Sequence, residues 1–481
     1  MFAIANDQKL SESRHRSNVV QSEYTKLETE HSNSVRQLFM STFHFPALFL
    51  LIISSLPAQA ADLLQVYRQA QSNDPTFEAA RFTFASAQQK LPQARAGLLP
   101  VININGNENN NYASSSFGKD PAVYREINSW SLSLQVTQPL FRAQNYYAYS
   151  ESELMVEQAR AQLEQAEHDL ILRVTQAYFD VLIAQESIEV ADKQLKAAEE
   201  QLALAIHGFD AGLNAITDIH EAKSRAELAR SQRIATLNDL ESKHAELEKI
   251  LGQETNTLAI LRPEVSIPKP QPENSTAWRE QARENNPAVL ASQAALGAAE
   301  AAVSKNRAEH APTLDLVASH GVDYSSGSVS TPSDFQTNTH STKIGVQFTV
   351  PLFAGGGPNS RVTEAIANAG RAASELEIAR RKSGTDAKQA YSAIVNGMAQ
   401  IEALESAVTS GTSAVKGKLT GYKLGVNMII DVLNAEQELY TSQRDLLKAR
   451  YETLLQGFKL KAAAGILSEQ DVWAVNQLLQ H

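Results

Sequence analysis

The 481-residue chain contains no cysteine. That excludes a disulfide framework, a thiolate metal site, a cysteine nucleophile and a lipid-modified cysteine. Aromatic residues make up only 7% against 43% hydrophobic residues in total. The apolar share leans on Ala and Leu, a bias toward long helices rather than a sheet-rich globule. Basic side chains are outnumbered, and the formal charge of -11 leaves no electrostatic footprint for nucleic acid. Beyond residue 60 no run approaches the roughly 18 apolar residues of a membrane-spanning helix.

The one short apolar run, Ala47 to Leu56, ends in Pro57-Ala58-Gln59-Ala60. Small residues at 58 and 60 form an Ala-x-Ala site, so residues 1–60 read as an extension plus a secretory signal cut after Ala60. Met40 is an alternative start. The expected mature N-terminus, Ala61, carries no acyl group because there is no cysteine to receive one. An exported chain without an apolar helix can cross a membrane only with strands.

What remains is written twice. The unit 61–252 recurs as the unit 275–465, with Asp62 to Gly252 matching Ser275 to Gly465 at an offset of 212 to 213 positions. Asp74-Pro75 returns as Asn286-Pro287, Pro139-Leu140-Phe141 as Pro351-Leu352-Phe353, and Phe209-x-x-Gly212 as Tyr422-x-x-Gly425. Asp218 returns as Asp431, and Leu251-Gly252 as Ala464-Gly465. A period this long is a duplicated structural unit, not a solenoid repeat. Segments 253–274 and 466–481 fall outside the two units.

Each unit reads helix, strand, strand, very long helix, turn, helix. Opening helices are expected over Asp62–Arg95 and Ser275–Arg307. Trp130, Leu132, Leu134 and Val136 alternate with Ser131, Ser133, Gln135 and Thr137; Ile344, Val346, Phe348 and Val350 alternate with polar or small residues. Period-two alternation marks strands with one apolar and one polar face. Asn107–Asn111 and Ser325–Ser328 read as polar loops between strands. In the long helix, Leu163, Ala166, Leu170, Val174, Ala177 and Val181 begin a seam of three- and four-residue steps that continues to Leu202. The seam recurs from Leu376 to Val408, with the same four-residue insertion. At about 1.5 Å per residue, Ala143 to His207 would extend roughly 100 Å. On periodicity alone this is a coiled-coil rod, and a secreted structural or adhesive rod is the alternative reading. Two alternating hairpins have no role in a rod. Four strands cannot close a barrel by themselves, so several chains must contribute.

The complete set resembles the TolC family of outer-membrane efflux and secretion ducts. The most specific pieces are the turns Phe209–Asp218 and Gly421–Asn434, the two Pro-Leu-Phe strand exits, and Ala354-Gly355-Gly356-Gly357. The resemblance implies a mostly α protein with transmembrane β structure. It implies a homotrimer whose 12-stranded β-barrel in the outer membrane is continuous with a 12-helix periplasmic tunnel. Segments 253–274 and 466–481 would form an equatorial belt. It further implies a periplasmic adaptor and an inner-membrane pump of RND, ABC or MFS type as partners, drugs or polypeptides as cargo, and no enzyme and no cofactor. Asp431 matches the first of two aspartates that ring the tunnel's constriction, and Asn434 stands where the second would be. Tyr422 and Asp218 match a pair tying one turn to the other in the closed state. Thr217 matches the partner of an arginine whose position here is Asn427; the neutral, shorter amide cannot make the same link. From residue type alone, Asp431 reads first as a helix-start aspartate stabilising the macrodipole. Gly212 and Gly425 are assigned to positive-φ turn geometry. The eleven histidines, His207 and His220 included, show no metal-ligand spacing, and Gly355–Gly357 lacks the lysine of a phosphate loop.

Overall fold

The structure is a computed structural model that describes residues 61–116, 118–212, 215–254, 258–262, 265, 267–329 and 335–480. The proposed signal segment lies outside the described residues. The first repeat contains α1 (Leu63–Asn73), α2 (Pro75–Gln88), α3 (Lys90–Ala96), β1 (Val101–Ser115), β2 (Val123–Phe141), α4 (Ala143–Asp210) and α5 (Ile216–Leu251). The second contains α6 (Ser275–Asn285), α7 (Pro287–Arg307), β3 (Thr313–Ser325), β4 (Thr337–Thr349), α8 (Gly357–Lys423) and α9 (Ile429–Ala463); α10 (Glu469–Asn476) follows.

The opening helices differ from expectation: neither is continuous. Proline disfavours helical backbone in the residue before it. Asp74 (ψ 114°) and Asn286 (ψ 129°) are accordingly extended. Each then caps the next helix with its own side chain, Asp74 accepting from Phe77 N at 2.9 Å and Asn286 from Ala288 N at 2.9 Å. Arg173 of α4 donates to the Asp74 carboxylate at 2.7 Å, which holds that carboxyl below its ordinary range despite burial.

The four strands form one antiparallel sheet in the order β1-β2-β3-β4, so the β2–β3 pairing joins the two repeats. Register places Ile104, Leu134 and His320 in one row, and Leu316 and Val346 opposite each other on the same face. That face is exposed, with Ile104 at 73%, Ile344 at 76% and Phe348 at 65%. Asn105, Ser133 and Gly321 form the corresponding row on the polar face. Trp130 and Tyr324 stack at 6.0 Å where the apolar band ends. The strands outrun the apolar band, which corrects a second expectation. Asn107–Asn111 is not a loop but the continuation of β1, paired with Ser131 through Ile127. Where both faces are polar a strand carries no alternation to read.

Among the described residues no helix is long and apolar enough to cross a membrane. The helices instead pack side by side. One half of α4 packs against α2, α3 and α7, the other against α5 and α9, while α8 packs along α7 and α9. Seam residues Leu170, Val174, Val181 and Ala184 are buried, as are Ala387, Ala390 and Ile394 of α8. At the middle of α4 burial widens beyond a seam to Ile171, Tyr178, Phe179 and Leu182. The start of the first repeat and the chain segments outside the repeats explain it. Tyr178 donates to the carbonyls of Ala259 at 2.8 Å and Ala61 at 3.2 Å, and Tyr451 of α9 accepts from Leu261 N at 3.3 Å. Single bridges join Ala61 to Leu258 and Leu261 to Leu479. These segments cover the α4–α9 pair at its midpoint.

Candidate functional site

The ends of the long helices away from the sheet are made by two turns with nearly the same backbone. Gly212 (φ 73°) ends the first long helix and Gly425 (φ 75°) the second. A Cβ at either position would meet nothing within 4 Å, so the left-handed dihedral, not space, requires glycine. Ala215 (φ -84°, ψ 156°) and Met428 (φ -86°, ψ 156°) then start α5 and α9 with nearly the same angles. Asp218 and Asp431 fall at the same position in the first turn of their helices. The Asp431 carboxylate accepts from Met428 N at 3.2 Å. It therefore performs the helix-start role, stabilising the positive end of α9. Asn434 lies one turn on, exposed, opposite the buried face of Val432 and Glu436.

An apolar cluster ties the two turns together. Ala205, Ala222, Ile429 and Leu433 are buried, with Leu202, Ile219 and Tyr422 packed against them. Tyr422 and Ile219, the neighbour of Asp218, thus share one contact group. Asn427 turns into its own turn: its amide donates to the Lys418 carbonyl at 3.3 Å, and its Nδ2 lies 2.5 Å from where a Cβ on Gly421 would be. Thr217 is exposed.

Four polar contacts toward this end involve residues that sequence reasoning did not single out. Arg225 of α5 donates from Nη2 to Asn434 Oδ1 at 2.9 Å. Farther from the turns, the α4–α9 contact is polar: Gln194 donates to Gln437 at 3.0 Å and Gln201 to Glu436 at 3.0 Å, while Arg444 donates to Gln194 at 3.4 Å. The α4–α5 contact beside it is built from Ala198, Ala226 and Ala229. The sequence did carry a signal for Arg225, which lies seven residues, two helical turns, from Asp218 on the same face.

Glu436 is buried, and burial pushes its carboxyl above the ordinary range; the Gln201 hydrogen bond opposes this and Glu200 adds to it. The Gln201 side-chain oxygen is buried without a partner. Glu436→Gln supplies an amide N–H for that oxygen and removes the buried carboxylate. The variant is expected to be more stable at pH 7.5 by about 1 kcal/mol, the scale of one orphaned buried acceptor. Because the folded-state affinity for a proton is raised, the wild-type chain regains stability as pH falls through the raised value toward 4.5, and the variant's advantage shrinks with it. Thermal unfolding at two pH values measures this. An advantage that grows on acidification contradicts it.

Among the described residues no group of acidic or histidine side chains could hold a metal ion. Two helix hairpins, a one-sided apolar sheet and a midpoint wrap match one family throughout. The model described as outer membrane efflux protein matches residues 66–253 and 278–466, once per repeat. The chain belongs to the outer membrane efflux protein family. It is 31% identical over 422 residues to the outer membrane protein TolC of Vibrio cholerae, covering 87% of this chain and 93% of that one. It is 30% identical over 441 residues to the alkaline protease secretion protein AprF of Pseudomonas aeruginosa, covering 90% of each. Its fold is similar to the crystal structure of the outer membrane protein VceC from Vibrio cholerae, with a TM-score of 0.72 at 18% identity over 84% of this chain and 96% of that one. The efflux-family chain is an outer-membrane transport channel, not an enzyme, and its sheet carries an exposed apolar face.

Proposed function

We propose that this chain is one protomer of a homotrimeric exit duct that passes drugs or polypeptides from an inner-membrane pump of RND, ABC or MFS type, joined through a periplasmic adaptor, to the exterior. The observation that carries this is the sheet. β1 and β4 each have a partner on one side only, in a sheet of four strands whose apolar face is exposed. Exposed edges are pairing sites, and outer-membrane barrels need at least eight strands. Three copies joined β4 to β1 give twelve strands with polar residues inside and no free edge. The helices continue as the periplasmic tunnel, with residues 253–274 and 466–481 as its belt. The protease-secretion relative supports polypeptide cargo, and the TolC relatives support an outer-membrane location. A secreted rod has no use for an apolar sheet face.

In this assembly Asp431 and Asn434 face the axis at the pore constriction, and the Tyr422–Asp218 contact, with Thr217 and Asn427 nearby, restrains the closed state. A ring of three carboxylates in a confined pore favours cations. Asp431→Ala is therefore expected to lower the cation-to-anion permeability ratio of the purified trimer in planar bilayers and weaken block by multivalent cations. Tyr422→Phe is expected mainly to raise conductance, modestly, by shifting a closed-to-open equilibrium. Unchanged selectivity in Asp431→Ala would place the constriction elsewhere. A Tyr422→Phe effect on selectivity alone would remove Tyr422 from the latch.

A further inference from the structure

We infer that Arg225 is a specificity-determining residue of the duct, a fixed cation beside Asp431 that keeps the constriction permissive to anions and to acidic stretches of cargo. The inference rests on the proposed duct and on the Asp431 side of α9 facing its axis. The observation is the hydrogen bond that carries the Arg225 guanidinium from the first repeat across to the exposed side of α9, 2.9 Å from Asn434 Oδ1. Asn434 is one helical turn from Asp431, and residues three apart lie on one face. A group that bonds Asn434 therefore stands next to whatever Asp431 faces.

The chemistry at position 434 decides what Arg225 does there. A carboxylate in that place would pair with the guanidinium and cancel it, leaving the Asp431 charge to act alone. Asn434 accepts the same hydrogen bond with no charge of its own, so the geometry is kept and the positive charge is not neutralised. Glu221, one turn back on α5, and Glu438, one turn on along α9, are both exposed, and neither is within ion-pair distance of Arg225 among the described residues. A guanidinium does not lose its proton at any pH the protein meets. Each protomer then contributes one negative and one positive group at the same level, and the trimer presents three of each. Charges confined in a narrow, partly desolvated pore act on every permeating ion far more strongly than they would at an open surface. A mixed ring selects weakly between signs, where an all-carboxylate ring excludes anions.

Reversal potentials in asymmetric KCl across planar bilayers test this on the full trimer, with heat-modifiable migration confirming assembly of each variant. Arg225→Gln keeps a hydrogen-bond donor and loses the charge, and the K+/Cl- permeability ratio is expected to rise severalfold. Arg225→Lys keeps the charge and is expected to stay close to wild type, which separates charge from a packing role. Asp431→Ala is expected to lower the ratio, and adding Arg225→Gln to it to bring the ratio back toward one. If Arg225→Gln leaves the ratio unchanged while Asp431→Ala shifts it, Arg225 does not face the ion path and the inference fails with the constriction intact. If neither variant changes the ratio, the placement of the constriction fails and this inference with it. An equal rise in Arg225→Lys and Arg225→Gln assigns Arg225 a purely structural role and also overturns it.

Discussion

Leu134→Arg is expected to abolish recovery of heat-modifiable trimer from outer membranes, while Ser133→Arg leaves trimer yield near wild type. The two residues are adjacent in β2 and point to opposite faces, as strand geometry requires. Leu134 is paired between Ile104 and His320 in the exposed apolar band, and Ser133 between Asn105 and Gly321 on the polar face. Leu134 is three rows into the sheet from Val101↔Thr137 and four rows short of the stacked Trp130–Tyr324 pair that bounds the band, well inside the apolar stretch. Arginine at such a depth on a lipid-facing strand costs about 2–4 kcal/mol, repeated in every protomer of the proposed trimer. On the inner face the same side chain points into water, and the missing side chain of Gly321 gives it room. Equal trimer yields for the two variants would mean that the faces are assigned the wrong way round.

The parts of the fold that were legible in sequence are those where burial imposes a period. Leu170, Val174 and Val181 are buried where the seam places them, and Leu132 and Leu134 share a face because strand alternation has a period of two. Where nothing is buried the signal disappears. The tip of β1 at Asn107–Asn111 is wet on both faces, so its strand character comes only from backbone pairing with β2. The break before Pro75 was legible in principle, since Asp-Pro both forces extended backbone and supplies a cap. The helical pattern resumes immediately after it and masks the break.

At the two inter-helix turns the same division holds. Gly212 and Gly425 announce themselves through spacing, and the structure gives both a positive φ. The contacts Arg225–Asn434 and Gln201–Glu436 join residues 209 and 235 positions apart. Neither pair lies on an apolar stripe, so no periodicity brings its members together before the helices are packed. The contacts at the midpoint of α4 are of the same kind, since Tyr178 reaches Ala259 only because an irregular segment returns there.

The second large effect is expected at the junction between sheet and helices. Arg142, between β2 and α4, donates from Nε at 2.8 Å and Nη2 at 2.7 Å to the two carboxylate oxygens of Asp315 on β3. A two-point arginine–carboxylate pair fixes orientation as well as distance, and this one joins the first repeat to the second where the strand hands over to the long helix. The Asp315 side chain is 9% exposed and that of Arg142 40%. Arg142→Ala leaves a buried carboxylate without its counter-charge, a loss worth about 3–5 kcal/mol in a fully buried pair. The partial exposure of Arg142 places the expected loss below that range, at about 2–3 kcal/mol. Arg142→Met with Asp315→Leu removes both charges together and is expected to recover most of the loss, because the penalty comes from the orphaned carboxylate more than from the missing attraction. Thermal dissociation of the proposed trimer in detergent measures both variants. A double variant no more stable than Arg142→Ala would show that the pair acts through its geometry, and an Arg142→Ala protein as stable as wild type would show that Asp315 finds water once the guanidinium is gone.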